Sequence, residues 1–252
     1  MACGTIFSVA PDIFCEKKME IRHFLACQLL LHLVKYRRIS SIFPDDAPME
    51  VAMQHLGTLP LMTDRLQLTP LRPADLESVA IWSRDPAVYE YIQAEPKTLE
   101  ETQTILKRII ERYAYPSTYY WAIRLRDSER CIGCIFVDMM VEAGCWCSVD
   151  FLMDRRQWGN SYLSEALKAV IDFLIGQVGF HRVQTKTPIN DHMNGHVFLK
   201  VGMLRDGVLR ECFRAKDRPD SWYDVAVYSI LEPEWRTLQE WQHADDDDLP
   251  TL

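Results

Sequence analysis

Apolar residues recur at helical spacing in the second half of the chain. Six of them follow the i, i+3, i+4 pattern that places side chains on one face of a helix: Leu163, Ala166, Leu167, Val170, Ile171 and Leu174. Polar residues between them, such as Glu165 and Lys168, fall on the opposite face. Gly176 and Gly179 follow, and glycine commonly ends helices. The pattern therefore predicts an amphipathic helix that packs on a core.

Strand-like sequences lie on both sides of this helix. Cys145 to Met153 is rich in aromatic and β-branched residues, which predicts a largely buried strand, and Val183 to Thr187 predicts the next one. Val208 to Phe213 and Trp222 to Leu231 alternate like the arms of a hairpin. Two earlier segments have the spacing of helices, Pro73 to Tyr91 and Leu99 to Tyr113. These patterns predict a mixed α/β domain.

A turn of small and polar residues joins the strand that ends at Met153 to the helix. Its sequence is Arg156-Gln157-Trp158-Gly159-Asn160-Ser161. Backbone N–H groups at a helix start have no partner within the helix and carry the positive end of its dipole, so amides that converge there can receive a diphosphate. Gly159 allows close approach of the backbone, and Ser161 adds little bulk. We therefore predict a phosphate-binding turn at residues 156–161.

The amino-acid composition and the absence of certain motifs exclude some classes of protein. The 252 residues carry a net charge of −8 and no basic face is evident, which argues against sequence-independent nucleic-acid binding. Apolar residues make up 48% of the chain, enough for a substantial core. A nucleotide-binding module is disfavoured, because the sequence has neither Gly-x-x-x-x-Gly-Lys-Ser/Thr nor a three-glycine Rossmann turn.

The eight cysteines show no disulfide framework. A chain of this size needs no disulfides, so we expect free thiols in a reducing, cytoplasmic compartment. The motifs Cys131-x-x-Cys134 and Cys145-x-Cys147 have spacing that suggests zinc, but both lie in strand patterns, where alternate residues face opposite ways. His192 and His196 have no third ligand nearby in the sequence. We therefore predict no metal site.

The two ends of the chain differ from its middle. Residues 1–60 combine a predicted amphipathic helix, from Ile21 to Tyr36, with a linker that contains proline and glycine. The apolar run of this helix is too short to cross a bilayer, so docking on the domain is favoured over membrane contact. Asp245–Asp248 predicts a disordered acidic tail. The predicted organisation is an extension at 1–60, a domain at 61–236 and a tail at 237–252.

The turn and its surroundings resemble a known family. The run Trp158-Gly159-Asn160-Ser161-Tyr162, followed by Glu165-Ala166-Leu167, is similar to the Trp-Gly-x-Gly-Tyr-x-x-Glu-Ala-Leu run of the RimJ/RimL-like branch of the GNAT N-acetyltransferase superfamily. Ser161 stands where that family usually has Gly or Ala. Other segments recur in the family's order, from Thr63-Asp64-Arg65-Leu66 to Lys200-Val201-Gly202-Met203. The resemblance covers about residues 61–236.

The resemblance implies a GNAT fold, a twisted and mostly antiparallel sheet with helices on both faces and splayed central strands. It also implies acetyl-CoA as cosubstrate and an amine as acceptor. The residues implied to contact the cofactor are Phe151, Leu152, Met153, Arg156, Gln157, Trp158, Gly159, Asn160, Ser161, Tyr162, Asn190 and Asn194.

Two departures from the family pattern bear on the chemistry. The family commonly has Asn-x-x-Ser ahead of Lys-x-Gly-Phe, near the pantetheine arm. Here either Asn190 keeps that role with a local bulge, or Asp191 and Asn194 occupy the usual positions. Some members place a tyrosine four residues before the glycine to protonate the leaving thiolate, and this chain has Phe198 there.

Direct acetyl transfer needs a base for the ammonium, donors for the oxyanion and a proton for the thiolate. Asp150 is the first candidate base, because a carboxylate among apolar neighbours holds its proton more tightly. The family often has Gly at that position, and a structural role is the alternative. Asp206 is the second candidate base. Backbone amides of Cys147–Phe151 are candidate oxyanion donors, and Tyr228 or a water is the candidate acid.

Two functions remain open from the sequence. One is an N-acetyltransferase that acts on a protein N-terminus, an amino sugar, a polyamine or another small amine. The other is a catalytically silent acyl-CoA-binding or scaffolding protein, which Phe198, Ser161 and the altered Asn segment permit. The expected partners are an acyl-CoA and an amine; nucleic acid and membrane are not expected, and a homodimer is compatible with the sequence.

Overall fold

The computed structural model describes residues 53–92, 94–216 and 220–247. The helix predicted at residues 21–36 lies outside them. The strands are β1 (Leu61–Met62), β2 (Leu66–Pro70), β3 (Tyr120–Leu125), β4 (Cys131–Val141), β5 (Trp146–Met153), β6 (Arg182–Pro188), β7 (Leu204–Arg214) and β8 (Trp222–Leu231). The α-helices are α1 (Leu76–Ser83), α2 (Leu99–Arg112), α3 (Tyr162–Phe173), α4 (His192–Lys200) and α5 (Glu232–Asp247).

The strands form one sheet in the order β1-β2-β3-β4-β5-β6-β8-β7. All neighbours are antiparallel except β5 and β6, which are parallel and are joined through α3. A parallel pair needs such a crossover, because the chain must return to the starting edge before the second strand begins. The predicted mixed and mostly antiparallel sheet is confirmed.

Alternation along the strands places helices on both faces of the sheet. On β3, Trp121 and Ile123 pack into the core cluster that contains the apolar side of α3. Ala122, between them, packs into a second cluster with Trp82 of α1 and Leu106 of α2. Successive side chains of a strand point to opposite faces, so α3 covers one face, and α1 and α2 cover the other.

One predicted helix is interrupted. The spacing predicts a helix from Pro73 to Tyr91, whereas the structure has 3₁₀ turns at Pro73–Asp75 and Pro86–Tyr89 on either side of α1. Pro86 has no N–H to donate and its ring clashes with the preceding turn. The Asp85 carboxylate instead accepts a hydrogen bond from the Ala87 N–H at 3.0 Å and caps the new turn. The residues after Pro86 therefore leave the path of α1, and several of them line the cavities described below.

Contacts cross both predicted domain boundaries. Trp121 Nε1 donates to the carbonyl of Leu59 at 2.7 Å. At the other end, α5 runs through residues 245–247, where the sequence predicted a disordered tail. Gln239 Nε2, which lies beyond residue 236, donates to Asp172 of α3 at 2.9 Å, and Trp235 Nε1 donates to the same carboxylate at 2.7 Å, so α5 is held on the domain across that boundary. The boundaries at residues 60 and 236 stay predictions. Among the described residues, no helix combines the length and apolar content needed to span a membrane.

Candidate active site

The parallel strands β5 and β6 separate after a short paired stretch. Pairing stops at Ser148 and Gln184, while β5 continues beside β4 and β6 continues beside β8. A cavity of about 730 Å³ opens where the strands part, lined by Asp150–Met153 on one side and by Lys186 and Thr187 on the other. The predicted splay of the central strands is therefore confirmed, and it lies between β5 and β6.

The predicted phosphate-binding turn lines this cavity. Gly159 and Ser161 both have left-handed backbone conformations, with φ of 78° and 62°, and they reverse the chain between a 3₁₀ turn at Arg155–Gln157 and the start of α3. A Cβ on Gly159 would meet no protein atom within 4 Å. Because α3 begins at Tyr162, the N–H groups of its first turn have no acceptor within the helix. The turn thus offers backbone donors at the cavity wall.

Asp154 stabilises the turn at residues 156–161 through its side chain. Its buried carboxylate accepts the Arg156 N–H at 3.1 Å and pairs with the guanidinium groups of Arg130 and Arg156 at 2.9 and 2.7 Å. Burial raises the pKa of Asp154, but the hydrogen bonds from Arg156 and the two positive charges outweigh burial and set this pKa below its ordinary value. The turn is therefore built around a carboxylate that stays ionised.

Two predicted cofactor residues do not line the cavity. The Arg156 side chain is engaged with Asp154, and the Asn160 amide donates to the carbonyl of Gln157 at 3.1 Å. In both cases the side chain stabilises the turn itself. The other predicted cofactor residues all line the cavity: Phe151, Leu152, Met153, Gln157, Trp158, Gly159, Ser161, Tyr162, Asn190 and Asn194.

The altered asparagine segment forms the start of α4. Asp191 caps this helix, because its carboxylate accepts the Asn194 N–H at 3.2 Å and the Thr187 hydroxyl at 2.8 Å. The Asn194 amide also donates to Asp191, at 2.6 Å. The Asp191 carboxylate is therefore engaged in capping α4, and Asn190, Asp191 and Asn194 all line the cavity.

Asp150 lies just past the point where β5 leaves β6, and it lines the cavity. Burial raises its pKa to about 7, with a further rise from the charge and hydrogen bond of Asp138 and a partial offset from Lys186. A carboxyl group with this pKa can both accept and release a proton near neutral pH. Asp138 sits at a bulge in β4, where the register with β5 shifts between Val137 and Met139.

Asp206 and Tyr228, the other predicted catalytic residues, are not on the cavity wall. Asp206 pairs with Arg182 at 2.6 Å and accepts the Ser229 hydroxyl at 2.9 Å, which ties β7 to β6 and β8. The Tyr228 ring packs against Phe198, with centroids 5.3 Å apart. Phe198 is itself fully buried and lines the cavity. Asp206 and Tyr228 are therefore both outside the set of residues that line the cavity with Asp150.

The strand register also reduces the set of backbone amides that could act as the predicted oxyanion donors. Cys147 and Ser148 lie where β5 is paired with both β4 and β6, so their backbone groups are used within the sheet. Beyond Ser148 the edge of β5 that faced β6 borders the cavity instead. Backbone N–H groups on that edge between Val149 and Phe151 are the donors that remain from the predicted set.

Lys186, Asp138 and Arg65 were not singled out by sequence analysis. Lys186 and Asp138 are isolated charges within strand patterns, and only the sheet register brings them beside Asp150. Arg65 contacts the turn across the fold, through Glu165 and the Asn160 carbonyl.

The cysteines of the two motifs with zinc-like spacing are free thiols, and Cys131 among them is buried. The described part of the chain contains no group of three or more His, Cys, Asp or Glu residues placed to hold a metal ion.

Known acetyltransferases resemble this chain in sequence and in structure. Residues 65–204 match the family model described as an acetyltransferase (GNAT) domain. The chain is 25% identical over 174 residues to the uncharacterized N-acetyltransferase YoaA of Bacillus subtilis, a match that covers 69% of this chain and 97% of YoaA.

Two solved structures share the fold. The GNAT-family acetyltransferase from Bacillus anthracis superposes with a TM-score of 0.62 at 20% identity, over 69% of this chain and 99% of that one. The ribosomal-protein-S5-alanine acetyltransferase from Vibrio fischeri gives 0.61 at 14% identity, over 70% of this chain and 98% of that one. Because the family model matches more than half of the sequence and the splayed sheet has the expected architecture, the chain belongs to the GNAT acetyltransferase family.

Proposed function

We propose that this protein is an N-acetyltransferase that moves the acetyl group of acetyl-CoA to a primary amine by direct attack. The observation that carries the proposal is the position of Asp150. Its carboxyl group, with a pKa near neutrality, lies on the wall of a cavity that also contains the turn at residues 156–161. A proton acceptor and a diphosphate-binding turn in one cavity fit this chemistry.

The cavity has polar and apolar regions that match the diphosphate and the pantetheine arm of acetyl-CoA. The start of α3 and the turn supply N–H groups for the diphosphate, and Lys200, which also lines the cavity, is held by a hydrogen bond of 3.1 Å to the Ser161 hydroxyl. The wedge between β5 and β6 would take the pantetheine arm, with Asn190 and Asn194 beside it. Phe151 and Phe198 form an apolar wall.

The proposed reaction balances without a further reactant. Asp150 in its ionised form accepts one proton from the substrate ammonium. The nitrogen lone pair then forms a bond to the carbonyl carbon of the thioester, and N–H groups on the free edge of β5 stabilise the oxyanion. The C–S bond breaks as the carbonyl reforms. The nitrogen still carries one proton more than the amide needs, and water takes that proton. With Phe198 in place of a tyrosine and Tyr228 behind it, water also returns a proton to the thiolate, so the net change is one proton held on Asp150.

The acceptor in this proposal is a protein N-terminus or a small-molecule amine. Membership of the RimJ/RimL-like branch, the cytoplasmic location and a homodimer stay predictions from the sequence.

A catalytically silent acyl-CoA-binding protein is the second candidate. It is favoured by Phe198, which is fully buried where some members have a tyrosine for the leaving group. Such a protein would bind acetyl-CoA but would not release its thiol when amines are added.

The test combines binding and turnover on the full chain. Calorimetry with acetyl-CoA should show binding, and a thiol-release assay with a panel of amines should show amine-dependent turnover. Asp150→Asn should lose turnover by roughly 10²- to 10⁴-fold while acetyl-CoA binding is retained. Asp206→Asn is the matched control, since it makes the same chemical change away from the cavity. Binding without turnover would establish the silent alternative, and absence of binding would overturn both.

A further inference from the structure

A second, smaller cavity lies beside the first. It has a volume of about 190 Å³, and we call it the inner chamber. Its walls come from α1, α2 and the β3–β5 part of the sheet, and include Trp82, Leu106, Ile109, Tyr120 and Phe136. The rings of Tyr120 and Phe136 are stacked, with centroids 4.8 Å apart and planes 6° apart. The chamber is thus walled largely by aromatic and aliphatic side chains.

The inner chamber meets the acetyl-CoA cavity at the proposed base. Asp150, Phe151 and Leu152 line both cavities, and so does Ile92. An amine held at Asp150 from the chamber side would therefore face a thioester that enters from the other side. The chamber is in the position of a site for the remainder of the acceptor molecule.

The polar side chains of the chamber are mostly satisfied by one another. The hydroxyls of Ser83 and Thr102 are 2.9 Å apart, and Thr102 also donates to the carbonyl of Thr98 at 2.8 Å. Trp82 is the exception, because its buried indole N–H has no hydrogen-bond acceptor among the described residues. The hydroxyls of Ser83 and Thr102, by contrast, already have partners within the protein.

The charges around the chamber select against a cationic occupant. Besides Asp150, the charged side chain among the described lining residues is Lys97. Asp150 is committed to the reacting amine, so a second ammonium group would meet Lys97 in surroundings of low polarity. Burial of an unpaired charge in such surroundings is strongly unfavourable.

The volume limits the size of the occupant. An apolar protein cavity of about 150 Å³ is large enough to bind benzene. The chamber can therefore hold a phenyl ring or a branched aliphatic group, and its largely apolar walls offer few partners for the amines of a polyamine or the hydroxyls of a sugar.

We infer that the acceptor is a primary amine that carries one uncharged, apolar group of about phenyl size, which occupies the inner chamber while the nitrogen lies at Asp150. This inference rests on the proposed function and selects among the acceptors that it allows. The apolar group can belong to a free amine or to the first residue of a peptide.

The test is a comparison of kcat/KM in the thiol-release assay with the full chain and saturating acetyl-CoA. The probes are 2-phenylethylamine, a phenylalanine-initiated tripeptide, ethanolamine, spermidine and glucosamine. Burial of a phenyl ring should favour an aromatic probe over ethanolamine by on the order of 10- to 100-fold. The two aromatic probes distinguish a free amine from a peptide N-terminus.

Substitutions on α2 supply the matched control. Ile105 lines the chamber and is 38% exposed, whereas Leu99 is 53% exposed and does not line it. Because both side chains reach solvent, aspartate is tolerated at either position. Ile105→Asp should reduce the preference for the aromatic probe at least tenfold, and Leu99→Asp should leave it unchanged. Lys97→Glu should raise the relative rate with spermidine.

The outcomes separate this inference from the proposed function. Equal rates with all amines, a preference for spermidine or glucosamine, or no effect of Ile105→Asp would overturn the inference while leaving the N-acetyltransferase intact. Absence of thiol release with every amine would overturn the proposed function and this inference with it.

Discussion

Arg65 and Glu165 form an ion pair that ties the predicted phosphate-binding turn to the start of β2. The Arg65 side chain contacts the Glu165 carboxylate at 2.6 Å and donates to the carbonyl of Asn160 at 3.1 Å. The same carboxylate accepts the Thr63 hydroxyl at 2.6 Å, and the Arg65 guanidinium lies 4.6 Å from the centre of the Tyr162 ring. Burial raises the pKa of Glu165, but these hydrogen bonds outweigh burial and set it below its ordinary value.

Loss of this ion pair should weaken cofactor binding. Glu165→Gln should lower the free energy of unfolding by about 1 kcal/mol and weaken acetyl-CoA binding by roughly three- to tenfold, because the turn is less pre-organised. Calorimetry and urea unfolding measure the two effects. Lys168→Gln is the control, since it removes a 2.9 Å contact with Asp172 on the same helix without touching the turn. Equal effects of both substitutions on binding would contradict a role for the Arg65–Glu165 pair.

The activity should rise with pH through the pKa of Asp150. As the proposed base, Asp150 works in its ionised form, so kcat should fall as the pH drops below about 7. The negative charge of Asp138 contributes to the raised pKa, so Asp138→Asn should move this limb of the pH profile to lower pH. Asp127→Asn makes the same change in net charge on the exposed β3–β4 turn and should not move it. A limb that stays in place in Asp138→Asn would contradict the coupling.

Asp150 should also make the stability of the domain depend on pH. Its pKa is raised in the folded protein, from 3.8 to about 7, so its favourable contribution to folding is complete below about pH 4 and is lost as the pH rises through 7. Asp150→Asn removes this titration. The free energy of unfolding of the variant relative to the wild type should therefore increase between pH 4 and pH 8. A constant difference across that range would show that Asp150 is not protonated more readily in the folded state.

Gly159 should be required for the cofactor rather than for the fold. A Cβ atom at this position would meet no protein atom within 4 Å, so the strain expected from a substitution comes chiefly from the left-handed backbone, with φ of 78°. Gly159→Leu should lower stability by about 1–2 kcal/mol and abolish the thermal stabilisation produced by acetyl-CoA. Gly57 has a φ of 71° and does not line the cavity, so Gly57→Leu should have a similar cost in stability and keep the cofactor effect. Retained stabilisation in Gly159→Leu would count against the site.

Ser161→Gly tests the departure from the family pattern, because it restores a residue that the family usually has at this position. A serine with φ of 62° is held in a conformation that favours glycine. Ser161→Gly should relieve this strain and change the free energy of unfolding by no more than about 1 kcal/mol, in the stabilising direction. Acetyl-CoA binding should persist, although the contact with Lys200 is lost. A large loss of affinity would mean that the serine hydroxyl itself contributes to binding.

Local sequence was sufficient for the elements around the turn. The apolar spacing from Leu163 onward predicts α3, because helical periodicity depends only on neighbours in the chain. The left-handed Gly159 and the helix start that follows are local features for the same reason. The helix predicted from Pro73 to Tyr91 was wrong at Pro86, where the missing N–H outweighed the apolar spacing.

The candidate site could be predicted only in part. Asp150 stood out because it is a carboxylate in an otherwise apolar strand, and the structure places it on the cavity wall. Tyr228 is on a strand with equally strong alternation, but β8 inserts between β6 and β7, so its ring lies behind Phe198. Nothing in the spacing of the hairpin indicates that insertion.

The sequence by itself determined the turn and the apolar face of α3, since each depends on residues close together in the chain. Its resemblance to a known family implied the mostly antiparallel sheet. The tertiary structure alone decided which charges meet Asp150, which arginine holds Glu165 and where the inner chamber lies. Those relationships join residues far apart in sequence, such as Arg65 with Glu165 and Lys186 with Asp150. They are set by strand order, by the β4 bulge and by the point where β5 and β6 part. Periodicity cannot encode them, because it reports which face a residue occupies and not what lies opposite.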